Sequence, residues 1–187
     1  MQLSKIEEEV AEWSRRNFGA QVSKTTGQEL GSLAPLLGLG EELGELEEAR
    51  SKGDLFLLRD AVGDCFIYLL DYCSREELSF ESLWNSSMSM TGPKIYLHLY
   101  GKLLHVVLKR HQGIRGYDND AKFLHEHTRL LRWIIGELKQ EVDAPEDLLQ
   151  KVWQEVKERD WKKNPEGADK LKEKMNSALS QAQENKS

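Results

Sequence analysis

The run Cys65-Phe66-Ile67-Tyr68-Leu69-Leu70 constrains this chain most, because it is apolar all round a helix and such a helix must be covered by others. The same helix carries Asp60 and Asp64 at i and i+4, and Asp71 continues that face two turns later. A solvated face would accommodate three aspartates cheaply. Leu57, Ile67 and Tyr68 interleave with them, however, so the helix is expected to be largely buried. An unpaired buried carboxylate costs several kcal/mol, against the ~5–15 kcal/mol that holds a whole domain together. Asp64 therefore needs a cation, a basic side chain or protonation.

The remainder of the chain is equally helical in pattern. Prolines number four, β-branched runs are few, and long stretches of Leu, Glu, Lys and Arg dominate, so an all-α bundle is expected. The spacing of Ile6, Val10 and Trp13 predicts a first helix from about Leu3 to Phe18, stopped by Gly19. A second is expected from about Gln28 to Lys52, interrupted near Pro35 and Gly38 and closed by Gly53. Asp54 is suited to cap a third, running to about Ser74. The segment from Glu77 to Met90 is mixed, with Leu83 and Trp84 packing, and Thr91-Gly92-Pro93 reads as a turn. Further helices are expected over about Lys94–His111, Asn119–Glu141 and, from the start signal Asp143-Ala144-Pro145-Glu146, to about Trp161.

At 187 residues the chain suits a single helical domain over 1–165 that includes a basic helical pair at about 94–141. Residues 166–187 are polar and lysine-rich, and read as a frayed or disordered tail. No apolar run approaches the ~20 residues that a membrane span needs. Neither a secretory apolar region nor an Arg-rich transit peptide is visible at the start, so a cytoplasmic location is expected. Cys65 and Cys73 lie too far apart along one helix to form a disulfide within it, and read as buried thiols. The net charge of −6 argues against generic binding to a nucleic-acid backbone.

That net charge is unevenly distributed. Five glutamates fall within Glu41–Glu48, whereas Leu83–Tyr117 contains no Asp or Glu but carries Lys94, Lys102, Lys109, Arg110 and Arg115. One region suits cations and the other anions, or two oppositely charged helices attract within the bundle. Glu42 and Glu45 stand at i and i+3, flanking the stripe Leu39, Leu43 and Leu46, with the small residues Gly38 and Ala49 beside them. Together with Asp60 and Asp64 they offer oxygen ligands only, the kind Mg²⁺ or Mn²⁺ prefers. The Glu-x-x-His pattern of carboxylate di-iron bundles is missing. A structural charge network is the other reading of these four residues.

The run Leu39-Gly40-Glu41-Glu42-Leu43-Gly44-Glu45-Leu46, followed by Asp60-Ala61-Val62-Gly63-Asp64, resembles the paired EExxE and ExxD motifs of the MazG-like nucleotide pyrophosphohydrolases. These are all-α enzymes related to the dimeric dUTP pyrophosphatases. The resemblance spans about Trp13 to Cys73, and Val156-Lys157-Glu158-Arg159-Asp160-Trp161 is similar to the terminal helix of some members. It implies hydrolysis of a nucleoside triphosphate to monophosphate and pyrophosphate, with Glu42, Glu45 and Asp64 as Mg²⁺ ligands and Glu41 nearby, and a homodimer or higher homo-oligomer. Glu41 is the catalytic candidate, to orient the water or hold a further metal. One departure is Ala61, where the motif has glutamate. Asp60, one residue earlier, is the remaining candidate ligand.

Trp13, Asn17 and Phe18 close the first helix with a combination able to stack on and hydrogen-bond a base, although Trp13 also suits the core. Trp161 is a second stacking candidate. Lys109, Arg115, Lys157 and Arg159 are candidates to neutralise phosphate oxygens. The alternatives to an enzyme are a nucleotide-binding or sensing protein weakened by the Ala61 change, and a helical interaction protein with an acidic docking face.

Overall fold

The computed structural model describes residues 3–20, 22, 25, 27–89, 95–161 and 163. Among them are seven helices and no extended strand; Val22 and Glu29 form one isolated antiparallel bridge. The all-α expectation holds. The turn at Thr91-Gly92-Pro93, the proposed helix start at Lys94 and the tail 166–187 lie outside the described residues.

α1 (Leu3–Phe18) buries Ile6, Val10 and Trp13, its expected stripe. α2 (Leu33–Lys52) begins five residues later than the expected Gln28 and is not interrupted. Pro35 sits in its first turn, where its missing N–H breaks no helical bond. Gly53 closes α2 in the left-handed conformation, φ 66°, and its N–H reaches the carbonyls of Ala49 and Arg50. α3 (Leu55–Arg75) starts where Asp54 accepts hydrogen bonds from the N–H groups of Phe56 and Leu57, both at 3.0 Å.

α4 (Phe80–Asn85) is a short helix in the stretch that reads as mixed, and it buries Leu83 and Trp84 as expected. Glu7 supports its start from α1, accepting the Phe80 N–H at 2.8 Å. α5 (Tyr96–Gln112) and α6 (Asp120–Lys139) pack as a hairpin, with Asn119 capping α6. α7 (Pro145–Val156) stops short of the expected Trp161. Tertiary hydrogen bonds take over there: Trp13 Nε1 donates to the Arg159 carbonyl at 3.1 Å, and the Trp161 N–H donates to Asn17 Oδ1 at 3.0 Å.

α3 is the central element. α2 packs along it most extensively, and α1, α4 and α7 also cover it, so Phe66, Leu69, Leu70, Tyr72 and Cys73 are fully buried. Cover for the apolar run therefore comes from within the chain, by α1, α4 and α7 as well as α2. One hydrophobic cluster takes residues from all seven helices. Gly63 allows the close approach of α7: a Cβ there would meet Val152 at 2.5 Å. The α5–α6 hairpin joins through Tyr100, whose hydroxyl donates to the Leu36 carbonyl at 2.8 Å, and through Tyr72 and His127, which share a buried hydrogen bond of 2.6 Å.

Candidate functional site

The periodicities of α2 and α3 aim one face of each at the same space. Leu36, Leu39, Leu43 and Leu46 are wholly buried, which places Glu41, Glu42 and Glu45 round the side of α2 and on the wall of a cavity of about 470 Å³. α3 contributes Asp60, Asp64, Ile67, Tyr68 and Asp71 to the same cavity, at the spacing of a single helical face. Trp13 and Phe18 from the end of α1, with Val156, Arg159 and Trp161 from the end of α7 and beyond, enclose the other side. Ala61 faces the core at 3% exposure. Asp60, not residue 61, is the second carboxylate that α3 directs to the cavity.

Close packing shapes the space between the carboxylates. Gly38 lies under the Tyr68 ring, and a Cβ at position 38 would stand 2.3 Å from Tyr68 Cε1. The small residue thus admits the ring to the cavity wall.

Glu42 is the electrostatic focus. Burial first, and then Asp64, Glu45, Glu41 and Asp60 in decreasing order, push its carboxyl up to about 8. Burial and the charges of Glu42, Glu41, Asp64 and Asp71 push the Tyr68 hydroxyl up to about 12. The Cys65 thiol is also raised, by burial and then by Glu42, Asp64 and Glu45. Three different groups therefore register one concentration of negative charge, which a cation would relieve. Glu41 and Glu45 are exposed. Among the described residues no three His, Cys, Asp or Glu side chains stand as a closed metal-ligand set. The fit to Mg²⁺ lies in the donor type, oxygen only, and in the shared cavity.

The aromatic end is tied together by backbone bonds. Asn17 donates from Nδ2 to the Trp13 carbonyl at 3.0 Å while accepting the Trp161 N–H, so it fixes the segment after α7 against α1 and does not itself line the cavity. Phe18 packs edge-on to Trp13, with centroids 5.5 Å apart, and tilted against Trp161 at 6.5 Å.

Of the four basic candidates, only Arg159 lines the cavity. Lys109 donates to Gln112 Oε1 at 2.7 Å, and Arg115 is exposed in the α5–α6 turn with φ 58°. Lys157 lies in the turn after α7. The acid-free stretch lies largely in the hairpin, where Arg110 reaches the carbonyls of Tyr117 and Asp118 and pairs with Asp120. Tyr68, Ile67 and Asp71 join the site without having been named for it. Their signal was spacing from Asp64, at i+4, i+3 and i+7.

Comparison of the chain with protein-family models, curated proteins and solved structures finds no match.

Proposed function

We propose that the protein is a magnesium-dependent nucleoside triphosphate pyrophosphohydrolase, with a helical bundle of the MazG-like type. The observation that carries this reading is the cavity, where Glu41, Glu42, Glu45, Asp60 and Asp64 share one space with Trp13, Phe18, Trp161 and Arg159. A carboxylate end opposite an aromatic end suits a ligand that is polyanionic at one extremity and flat at the other.

Glu42, Glu45, Asp64 and Asp60 would hold Mg²⁺, or Mn²⁺ in its place. When bound, the metal supplies charge neutralisation and a water of lowered pKa at the polyphosphate. Glu41, beside those four residues but turned ~100° round the helix, would orient the attacking water towards the α-phosphorus. Arg159 offers a planar fork to phosphate oxygens beyond the metal's reach. Trp13, Phe18 and Trp161 bound the base, and Asn17 holds Trp161 in position.

A homo-oligomer belongs to the same proposal. Leu55, Phe56 and Leu57 expose 72%, 75% and 43% of their surface at the start of α3, an apolar patch that a second copy would cover. Light scattering at micromolar concentration tests it, with a dimer or larger species expected and a monomer against it.

The burial of Ala61 favours a second reading, in which one ligand fewer leaves a protein that binds nucleotides without turning them over. Glu42→Gln and Asp64→Asn test the enzyme reading, since each removes ligand charge at nearly constant volume. Both should abolish Mg²⁺-dependent hydrolysis while leaving the helical signal intact. Wild-type rates in either would refute the ligand assignment, and nucleotide binding by the unaltered chain with no product would establish the second reading.

A further inference from the structure

The aromatic end of the cavity holds a polar pair that the carboxylate chemistry does not use. Asp71 lies on the cavity face of α3, seven residues and about 10 Å of helix beyond Asp64, a length comparable with a nucleoside. It is 6% exposed, and its Oδ1 accepts from Arg75 Nε at 2.8 Å. Arg75 in turn donates to Ser14 Oγ at 2.7 Å and to the Gly19 carbonyl at 3.3 Å. The guanidinium is thereby fixed to both α1 and α3, and Asp71 Oδ2, with no partner among the described residues, can accept from a donor on a ligand. In the lining of the same cavity, the Trp161 indole N–H is buried and has no hydrogen-bond partner among the described residues. An unsatisfied buried donor is costly, and an acceptor on a ligand would recover that cost.

We propose that Asp71 and Trp161 read the edge of the nucleotide's base, Asp71 accepting from an amino group and Trp161 donating to a ring nitrogen or carbonyl. The site then takes nucleotides of amino-bearing bases, namely cytosine, adenine and guanine, in preference to uracil and thymine. This inference rests on the nucleotide reading above. An ionised carboxylate can only accept, so it matches an exocyclic amino group such as that of cytosine. Uracil presents a carbonyl oxygen at the same position, lone pairs towards a negative oxygen. Sites built around such a hydrogen bond reject the analogue lacking it far more strongly than apolar pockets discriminate shape. The ring N3–H of uracil or thymine and the sugar hydroxyls are the other donors a nucleotide carries. The first would give uracil an affinity equal to cytosine's and the second a preference that follows the sugar, and the test separates both.

Calorimetry of the full chain with Mg²⁺ and non-hydrolysable α,β-imido analogues of dCTP, dUTP, CTP and UTP decides the matter. The cytosine analogues should bind at least ten-fold tighter than their uracil counterparts, in both sugar series. Asp71→Asn, which adds a donor at constant volume, should erase that ratio. Trp161→Phe, which keeps a ring and loses the N–H, should weaken all four several-fold. Equal affinity for cytosine and uracil in the unaltered chain overturns the proposal, as does a preference that survives Asp71→Asn or one that follows the 2′-hydroxyl and not the base. If none of the analogues binds, the nucleotide reading itself falls, and this inference with it; binding without base preference overturns the inference alone.

Discussion

Asn17 holds Trp161 to the end of α1: its Oδ1 accepts the Trp161 backbone N–H at 3.0 Å, while its Nδ2 donates to the carbonyl of Trp13 at 3.0 Å. One buried amide therefore fixes two aromatic residues of the cavity without touching its interior. Asn17→Ala should free the segment after α7 and raise the Michaelis constant for nucleotides several-fold, with kcat changed much less. It should also cost about 1–3 kcal/mol of stability, because the Trp161 N–H loses its acceptor. Steady-state kinetics with a denaturant titration would check both. A fall in kcat at constant Michaelis constant would instead put Asn17 in the chemistry.

Gly38→Ala should act through Tyr68. The added methyl would sit 2.3 Å from the ring, so the ring must leave its place on the cavity wall. Overpacking of this kind costs about 1–3 kcal/mol. Thermal unfolding should show the loss, and nucleotide affinity should fall with it. Gly44→Ala is the control, since a Cβ there meets nothing within 4 Å and should slightly stabilise the helix. Equal stability of the two variants would contradict the packing described for Gly38.

Glu42→Gln should trade activity for stability. Burial and four neighbouring carboxylates raise Glu42 from the usual 4.5 to about 8. The folded protein therefore keeps a proton that the unfolded chain gives up, and Glu42's contribution to stability is lost as pH rises from about 4.5 through about 8. The glutamine variant avoids that loss, so in chelator at pH 8.5 its melting temperature should exceed that of the unaltered protein. Mg²⁺ should narrow the difference by stabilising the ionised carboxylate. An unchanged or lower melting temperature in chelator would mean that Glu42 is not under electrostatic stress.

His127 sets an acid limit on stability. Burial between α3 and α6 lowers it from 6.5 to about 4, and it shares the 2.6 Å hydrogen bond with the Tyr72 hydroxyl. Its contribution is complete above about pH 6.5 and is lost as pH falls through about 4, because the unfolded chain takes up the proton first. Between those limits this one group should supply a slope of about 1.4 kcal/mol per pH unit. Denaturant titrations of the unaltered protein and His127→Gln over pH 4–7 would isolate it. Parallel curves would show that His127 titrates normally.

Helical periodicity made most of the fold legible. The stripes of α1, the Asp54 and Asn119 caps and the Gly53 stop all appear where the residue types demand them. Pro35 misled, because proline breaks a helix only where an N–H is required, and the first turn requires none. The end of α7 was illegible for a different reason. Val156–Trp161 reads as continuous helix, and only the tertiary bonds from Trp13 and Asn17 pull it away. The carboxylates were legible because spacings of three and four fix a face. Placing Lys109 and Arg115 opposite them required knowing how the α5–α6 hairpin sits, and charge alone does not specify that.

The central claim is tested most directly by incubating the full chain with canonical and modified nucleoside triphosphates, with Mg²⁺ and with chelator, and identifying the phosphate products. The account predicts nucleoside monophosphate and pyrophosphate in equal amounts, formed only when Mg²⁺ is present. Orthophosphate with nucleoside diphosphate, or release that persists in chelator, would contradict it.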